Sequence, residues 1–170
     1  TAASVRLCDM ASCQEAQQVM EGGARGLVHS AGVLADALLL NQTQAGLQRV
    51  WAPKAEAAWS LHRSSQQQQG QSQLLGLFVL FSSVAALLGN AGQANYAAAN
   101  ACLDQLARQR WAEGLAGCSV QWGAWAGSGM AVGSGVVEQL EVQGLGAVRE
   151  EQGLCALELA ISTTTPTVLG

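Results

Sequence analysis

The sequence predicts an α/β fold, in which a parallel sheet carries helices on both of its faces and is incomplete at both ends. Three observations lead to this fold class. Short apolar runs alternate with longer helix-like segments along the 170 residues. Residues 77–81 are continuously apolar, which is typical of a strand buried on both faces. Glycines follow two of the apolar runs, where a strand would turn into the next helix. We expect residues 1–170 to form a single domain.

The first part of the chain has the pattern of a strand, a helix and a second strand. Residues 5–8 form a short apolar run, and Ser12 can cap a helix over residues 14–20. Gly22 and Gly23 end that helix, and residues 26–33 have the composition of a buried strand running into a glycine turn. This order implies a parallel pair of strands with a crossover helix.

The middle of the chain is predicted to be mostly helical. From Leu34 the sequence is helical in character, and Thr43 can cap a helix that ends near residue 49 or 50. Pro53 stands near the start of a further helix over residues 54–62, where a proline is tolerated. The glutamine-rich segment 64–73 has low complexity, so we expect a solvated loop without chemistry there.

The remaining segments continue the alternation of strands and helices. The strand at 77–81 turns polar at Ser82 and Ser83, and a helix over residues 93–114 follows a glycine-containing loop. Residues 118–122 are a fourth strand candidate. The glycine-rich segment 128–146 has few anchoring side chains, so we expect a mobile flap over a site. A last helix (149–161) and a short strand (167–169) follow.

Composition excludes several classes of function. The net charge of -4 and the 12% of charged residues give no reason to expect nucleic acid as a partner. Apolar runs fall short of the ~20 residues of a membrane span, and the N-terminus lacks a signal-peptide pattern. Five cysteines without CxxC spacing and two histidines make a metal site or a disulfide framework a poor interpretation. We expect a cytoplasmic setting with reduced cysteines that fill the core.

A hydroxyl at the end of a buried strand and a phenol on the next helix suggest a ligand site. Ser83 ends the central strand, and Tyr96, the only tyrosine, shares a helix face with Asn100 at i+4. Ligands bind in open α/β sheets at the carboxyl ends of the strands. A carbonyl that accepts hydride needs a proton donor and a second hydrogen-bond donor. A phenol of pKa about 10 serves only if a nearby cation stabilises its anion.

Five motifs together resemble the ketoreductase domain of modular and iterative polyketide synthases, within the short-chain dehydrogenases/reductases. They are HSAGVL at 29–34, APK at 52–54, FSS at 81–83, GQANYAAAN at 92–100 and WGAWAGSGM at 122–130. The resemblance covers essentially the whole chain. It implies a three-layer Rossmann-like fold and NADPH-dependent reduction of a β-ketoacyl thioester. The implied partners are an acyl carrier protein that bears the substrate on phosphopantetheine, and other domains of the same megasynthase.

The resemblance also implies the catalytic roles. Tyr96 would give its proton to the β-keto oxygen, and Ser83 would hydrogen-bond that oxygen. Most short-chain reductases carry the lysine four residues after the tyrosine, where this chain has Asn100. Polyketide synthase ketoreductases exchange these positions, so Lys54 would lower the pKa of the phenol and Asn100 would order the proton relay.

Further positions are carried over from the family by their place in the motifs. Those implied near the cofactor are Asp9, Ser30, Ala31, Gly32 and Gly123. Those implied in substrate binding or stereocontrol are Leu34, Asp36, Gln93 and Met130. The family's Leu-Asp-Asp signature is incomplete here, because Ala35 replaces its first aspartate. The retained Asp36 and the absence of a tryptophan in the loop before Tyr96 favour the D-hydroxyl, or B-type, product.

Each assignment has a simpler structural alternative. Ser83 could be a strand-end cap, Tyr96 a packed core aromatic, Lys54 an exposed helix-start lysine, Asn100 a polar helix filler and Asp36 a helix cap. A second hypothesis is an inactive, structural reductase-like domain of a megasynthase. No GxGxxG phosphate loop occurs in the sequence. A chain without it is expected to bind NADPH poorly on its own and to be inactive in isolation, because the pyrophosphate lacks its backbone N–H donors.

Overall fold

The computed structural model describes residues 8–67, 75–126, 144, 146–162 and 168–169. Two irregular helical turns occur, a 3₁₀ turn (Leu39–Asn41) and a π turn (Ala52–Glu56). The other elements, in chain order, are α1 (Cys13–Glu21), β1 (Gly26–His29), α2 (Gln44–Trp51), α3 (Ala57–Gln67), β2 (Leu77–Ser83), α4 (Ala85–Leu88), α5 (Ala94–Ala112), β3 (Cys118–Trp122), α6 (Glu150–Ser162) and β4 (Val168–Leu169).

The four described strands form one parallel sheet in the order β1-β2-β3-β4. Leu80 pairs with His29 on one side and with Ser119 on the other, so β2 is an interior strand. Ser83 at the end of β2 pairs with Trp122 at the end of β3. The strands are parallel, so their carboxyl ends meet at one edge of the sheet.

Helices cover both faces of this sheet, which confirms the predicted fold class. Alternate residues of β2 point to opposite faces. Phe78 and Leu80 pack with α1, α3 and α5, whereas Val79 packs with β3 and with Ala160 of α6. The buried, nearly continuous apolar sequence of β2 therefore reflects coverage from both sides. In the part of the chain that the structure describes, no helix combines the length and the apolar character that a membrane span requires.

Two helix starts were predicted from capping residues, and both are confirmed. The Ser12 hydroxyl accepts a hydrogen bond from the Glu15 N–H at 3.4 Å, and the Thr43 hydroxyl accepts one from the Gly46 N–H at 3.0 Å. These bonds satisfy N–H groups that have no partner within the first helical turn. The predicted strand at 118–122 and the last helix also agree with β3 and α6.

The segment after β1 differs from its prediction. The strand ends at His29 rather than at residue 33, and residues 30–38 have no regular structure although helix was expected from Leu34. The reason is tertiary, because this segment bonds to the loop before α5. The Ala37 N–H donates to the Gly92 carbonyl at 2.9 Å, and the Gln42 side chain donates to the Ala37 carbonyl at 2.7 Å.

The helix predicted to start at Lys54 is instead the continuation of α2 through the π turn into α3. Pro53 has no N–H to donate within a helix, and the wider turn accommodates the missing bond. Helix α3 then continues to Gln67, so the first four residues of the predicted loop 64–73 are helical. Residues 68–74 lie outside the described ranges. The short helix α4 was not predicted.

The cysteines are less buried than expected. Cys118 is buried in β3, but Cys8, Cys13 and Cys155 are exposed. The prediction that cysteines fill the core was therefore wrong for these three. They lie near or within α1 and α6, on sides that the sheet does not cover. The predicted first strand at 5–8 lies almost wholly outside the described residues.

A buried arginine joins α3, α5 and the loop before β3 at the sheet edge opposite Ser83. Arg110 donates from Nε to the Ala116 carbonyl at 2.7 Å, and its guanidinium lies 3.8 Å from the Phe78 ring centroid. Its Nη1 lies 2.9 Å from His62 Nδ1. Arg110 can only donate, so His62 must accept at Nδ1 and is neutral. Burial lowers the pKa of His62 further, and the Arg110 charge acts in the same direction.

This geometry predicts that the protein loses stability on mild acidification. The pKa of His62 is depressed in the folded state, so its contribution is present above the ordinary value of 6.5 and is lost as the pH falls through the folded value. His62→Gln keeps a hydrogen-bond acceptor for Arg110. Between pH 7.5 and pH 5, we expect its free energy of unfolding to fall by about 1–2 kcal/mol less than that of the wild type. Urea unfolding at both pH values measures this, and equal losses in the two proteins would contradict it.

Candidate active site

Tyr96 lies on α5 with its ring almost fully buried, 8% exposed, facing the carboxyl ends of β1 and β2. Its ring packs with Val50, Ala85 and Ala99, and half-buried Leu34 covers the same cluster. Burial raises the pKa of the Tyr96 phenol, whereas the side chains of Asn100 and Ser83 lower it. Without further groups, this phenol would hold its proton more firmly than an exposed tyrosine does.

The Lys54 ammonium lies beside the Tyr96 ring. The π turn directs its side chain into the interior, where it is 2% exposed. Its Nζ donates to the Phe81 carbonyl at 2.8 Å and lies 5.3 Å from the Tyr96 ring centroid. Burial lowers the pKa of Lys54 to about 8, and the charge of Asp104 opposes this effect. The exposed-lysine alternative is therefore wrong.

Gly32 makes room for this lysine. A Cβ at position 32 would lie 2.9 Å from Lys54 Cε, closer than real Cβ contacts allow. Neighbouring Ser30 and Ala31 are exposed at the end of β1. The buried His29 ring bonds through Nε2 to the Lys54 carbonyl at 3.1 Å, so His29 supports the turn that carries the lysine.

Asn100 is fully buried one turn after Tyr96. Its side-chain Nδ2 donates to the Tyr96 backbone carbonyl at 2.8 Å. The backbone carbonyl of Asn100 accepts from the Ser82 hydroxyl at 3.3 Å. The side-chain oxygen, Oδ1, has no hydrogen-bond partner. Buried polar atoms are nearly always paired, so this acceptor fits a bound water or a ligand group. Asn100 is thus more than a polar filler of the helix.

Ser83 and Ser82 have opposite orientations. The Ser83 hydroxyl accepts from the Ala85 N–H at 3.2 Å, which leaves its own proton available for another acceptor. The Ser82 hydroxyl points the other way, towards α5, and donates its proton to the Asn100 backbone carbonyl. Only the second of the two adjacent serines can therefore serve a ligand at the sheet edge.

The segment 34–37 is tied to the loop before α5. Gln93, 4% exposed, donates from Nε2 to Asp36 Oδ2 at 2.9 Å and accepts from Asn90 at 3.0 Å. Asn95 donates to the Ala35 carbonyl at 2.8 Å. Asp36 therefore pairs with Gln93 across the site rim and caps no helix. Sequence reasoning missed Asn90 and Asn95, although two further amide side chains close to Gln93 in a polar GNAGQAN segment offered a signal.

The remaining predicted residues lie in different places. Gly123 directly follows β3, and a Cβ there would lie 3.3 Å from Val148. Asp9 makes only local contacts, accepting from the Ala11 N–H at 3.0 Å, and nothing links it to the Tyr96 cluster. Met130 and most of the predicted flap 128–146 lie outside the described residues. Across the described ranges, no group of three or more His, Cys, Asp or Glu side chains could hold a metal ion.

Two tryptophans close the side of the site next to β3. The Trp122 ring lies 5.3 Å from Phe81 and 5.1 Å from Trp125, measured between ring centroids. Trp125 packs onto Gly153 of α6 so closely that a Cβ there would fall 2.2 Å from its ring. Both tryptophans are therefore packing groups, and α6 depends on a glycine at this contact.

Comparison with known proteins gives a consistent result. The sequence profile described as "KR domain" matches residues 2–127. The spectinabilin polyketide synthase system protein NorB of Streptomyces orinoci is 39% identical over 91% of this chain and 7% of its own length. Polyketide synthase GfsA of Streptomyces halstedii is 46% identical over 69% of this chain and 2% of its own. This chain therefore spans less than a tenth of either relative.

Solved structures agree with the sequence relatives. The first ketoreductase of the tylosin PKS superposes with a TM-score of 0.79 at 40% identity, covering 88% of this chain and 32% of that one. An A1-type ketoreductase superposes with a TM-score of 0.85 at 34% identity, covering 96% of this chain and 34% of that one. The fold and the sequence lead to the same group of proteins.

Proposed function

This chain belongs to the KR domain family, the ketoreductases of polyketide synthases within the short-chain dehydrogenases/reductases, and we propose that it carries their ketone-reducing site. The reaction is the NADPH-dependent reduction of a β-ketoacyl thioester to a β-hydroxyacyl thioester. The substrate is held by phosphopantetheine on an acyl carrier protein. The other domains of the same megasynthase are the further partners. Residues 1–170 form the catalytic part of one domain.

The observation that carries this proposal is the convergence of a phenol, an ammonium and a serine hydroxyl at the carboxyl edge of the sheet. Lys54 Nζ lies 5.3 Å from the Tyr96 ring centroid, and the Ser83 hydroxyl at the end of β2 accepts from the Ala85 N–H, so its own proton can be donated. A ketone that accepts hydride needs these donors where negative charge develops on its oxygen.

The residues at this edge fit a nicotinamide cofactor. Ser30 and Ala31 are exposed beside Gly32 after β1, and Gly123 follows β3 on the other side of β2, so small residues follow both strands that flank β2. Gly32, Gly123, Ser30 and Ala31 would line the nicotinamide and its ribose, and Asp9 is proposed near the adenine. When bound, the cofactor supplies the hydride that reaches the carbonyl carbon. The proton and the hydrogen bonds to the ketone oxygen would come from the chain's own residues.

The chain's own part in the reaction is a proton transfer. As the carbonyl carbon gains hydride, the Tyr96 O–H bond breaks and a new O–H bond forms on the former ketone oxygen. Lys54 stabilises the phenolate that remains, which offsets the effect of burial on the phenol. The Asn100 Oδ1, which has no other partner, would hold a water through which a proton from bulk solvent reaches the phenolate and restores Tyr96. We propose Leu34, Asp36, Gln93 and Met130 as substrate-orienting residues, with a D-hydroxyl product.

The adjacent serines provide a matched pair of variants. We expect Ser83→Ala to lower kcat/KM roughly a hundredfold, because one donor to the developing oxyanion is lost. Ser82→Ala removes a bond to the Asn100 carbonyl inside the protein and should stay within about threefold of wild type. Steady-state kinetics on a β-ketoacyl thioester compares the two. Equal losses in both variants would contradict the role of Ser83.

The function itself is tested in the full-length synthase that contains this chain. We expect NADPH oxidation, followed at 340 nm, when a β-ketoacyl carrier protein is added, with NADH as the cofactor control and the free thioester as the carrier control. Chiral chromatography of the product gives its configuration. If the protein binds the carrier but oxidises no NADPH, the inactive structural domain is the correct interpretation instead.

A further inference from the structure

A buried carboxylate lies below the candidate site. Asp104 follows Asn100 by four residues and Tyr96 by eight, so the three side chains occupy successive turns on one face of α5. Asp104 is 5% exposed. Its Oδ1 accepts from the Ser119 hydroxyl at 2.6 Å, and its Oδ2 accepts from Gln121 Nε2 at 2.8 Å. Both partners belong to β3 and are neutral.

The buried carboxylate and the buried ammonium are both without a direct counter-charge. Among the described residues, the one acid–base contact within 4.0 Å joins His62 Nε2 to Glu113, so neither Lys54 nor Asp104 has an oppositely charged group within that distance. Lys54 bonds to a neutral carbonyl, and Asp104 bonds to neutral side chains. Burying a lone charge costs several kcal/mol, so two opposite charges in one interior stabilise each other even without contact.

The other titratable groups that face Lys54 do not supply this counter-charge. His29 on β1 bonds to the Lys54 carbonyl and is neutral or positive, and Tyr96 on α5 is neutral at rest. No titratable side chain of β2, whose Phe81 carbonyl binds the ammonium, faces it. The Asp104 carboxylate raises the pKa of Lys54 against the effect of burial, and so favours its charged form.

We propose that Asp104 is a positioning residue that keeps the Lys54 ammonium charged at a distance and fixes the end of β3 against α5. This rests on the role proposed above for Lys54. A carboxylate in contact with Nζ would compete with the phenol for the ammonium. The hydrogen bonds from Ser119 and Gln121 hold the Asp104 carboxylate against β3. From there it favours the positive charge of Lys54 without binding to Nζ. In the same strand, Trp122 pairs with Ser83 of β2.

The sequence makes a direct measurement possible, because Lys54 is its only lysine. We propose labelling the full chain with lysine carrying ¹³C at Cε and following the titration of the Lys54 signal, which Lys54→Arg identifies. In Asp104→Asn the midpoint is expected to fall by roughly 0.5–1 pH unit, because one buried negative charge that acts on Lys54 without contact is removed. In the full-length synthase, the alkaline limb of the ketone-reduction profile should move to lower pH by the same amount.

Two further variants separate charge from structure. Ser119→Ala removes a hydrogen bond to Asp104 but leaves its charge, so the Lys54 midpoint should stay near the wild-type value. Gln121→Arg keeps Asp104 but neutralises it with an adjacent guanidinium, so the midpoint should fall as in Asp104→Asn. This variant decides the matter if Asp104→Asn does not fold.

An unchanged Lys54 midpoint in the folded Asp104→Asn or Gln121→Arg variant would overturn the proposal. So would a shift in Ser119→Ala as large as in Asp104→Asn, since that would indicate a purely structural effect. The titration needs no turnover. A failed reductase assay would therefore refute the proposed function while leaving the Lys54 titration to decide the role of Asp104.

Discussion

Tyr96→Phe is expected to reduce ketone reduction about 10²–10⁴-fold, the range for loss of a general acid. The substitution removes one hydroxyl and keeps the ring that packs with Val50, Ala85 and Ala99. The fold and the binding of NADPH should therefore persist. We propose to measure single-turnover reduction of a β-ketoacyl thioester, with cofactor affinity from NADPH fluorescence and stability from thermal unfolding.

A second aromatic residue offers a matched control. Trp59 on α3 donates from its indole nitrogen to Cys102 Sγ at 3.3 Å, outside the candidate site. Trp59→Phe likewise removes one hydrogen-bond donor from an aromatic side chain, and we expect reduction rates close to wild type. If Tyr96→Phe keeps turnover at the rate of Trp59→Phe, the proton comes from another group and the assignment of Tyr96 is wrong.

Lys54→Met is expected to make the protein more stable and nearly inactive. The charged lysine is buried, and its pKa falls from 10.5 to about 8. This shift corresponds to a destabilisation of about 3 kcal/mol at neutral pH. The variant avoids this destabilisation. It also leaves the Phe81 carbonyl without its hydrogen bond, which destabilises the protein by about 1–2 kcal/mol. We therefore expect a net gain of about 1–2 kcal/mol in the free energy of unfolding.

The pH dependence has a defined sign. The folded pKa of Lys54 is depressed, so the unfolded chain binds more protons between pH 8 and pH 10.5, and this group makes wild-type stability rise across that window. Lys54→Met should lack the rise. Its reduction rate should fall roughly a hundredfold, because no cation stabilises the phenolate. Urea unfolding at several pH values and the reductase assay measure both effects.

Arg49→Met is the control for loss of a positive charge. Arg49 is exposed on α2, one turn before Lys54 in the chain, and we expect neither stability nor activity to change appreciably. A Lys54→Met variant that reduces its substrate normally would contradict the role of the ammonium. A variant with lower stability than wild type would contradict the inferred cost of burying it.

Sequence patterns predicted the regular elements wherever local signals decide them. Ser12 and Thr43 marked helix starts because a side-chain oxygen beside the first turn satisfies its free N–H groups. The apolar residues 77–81 marked β2 because a strand covered on both faces needs apolar residues at every position. The strand at 118–122 was also predicted with the observed bounds.

Elements that depend on distant contacts were predicted less well. Residues 34–38 have helix-forming composition, yet their backbone and neighbouring side chains bond to the loop before α5. The π turn at Pro53 was not apparent, because a proline near a helix start and one inside a bulged helix have the same local sequence. Asp104 was overlooked, since its partners lie 15 and 17 residues away on β3.

The sequence by itself determined the fold class, the family resemblance and the identity of the tyrosine, serine, lysine and asparagine proposed to act together. Those follow from periodicity and from motifs that are contiguous in the chain. Only the tertiary structure decided that the Lys54 ammonium is buried beside the Tyr96 ring and that Asn100 has an unpaired oxygen. It also decided which of two adjacent serines faces the sheet edge. Burial and hydrogen-bond direction depend on how separate elements pack, and local sequence does not encode them.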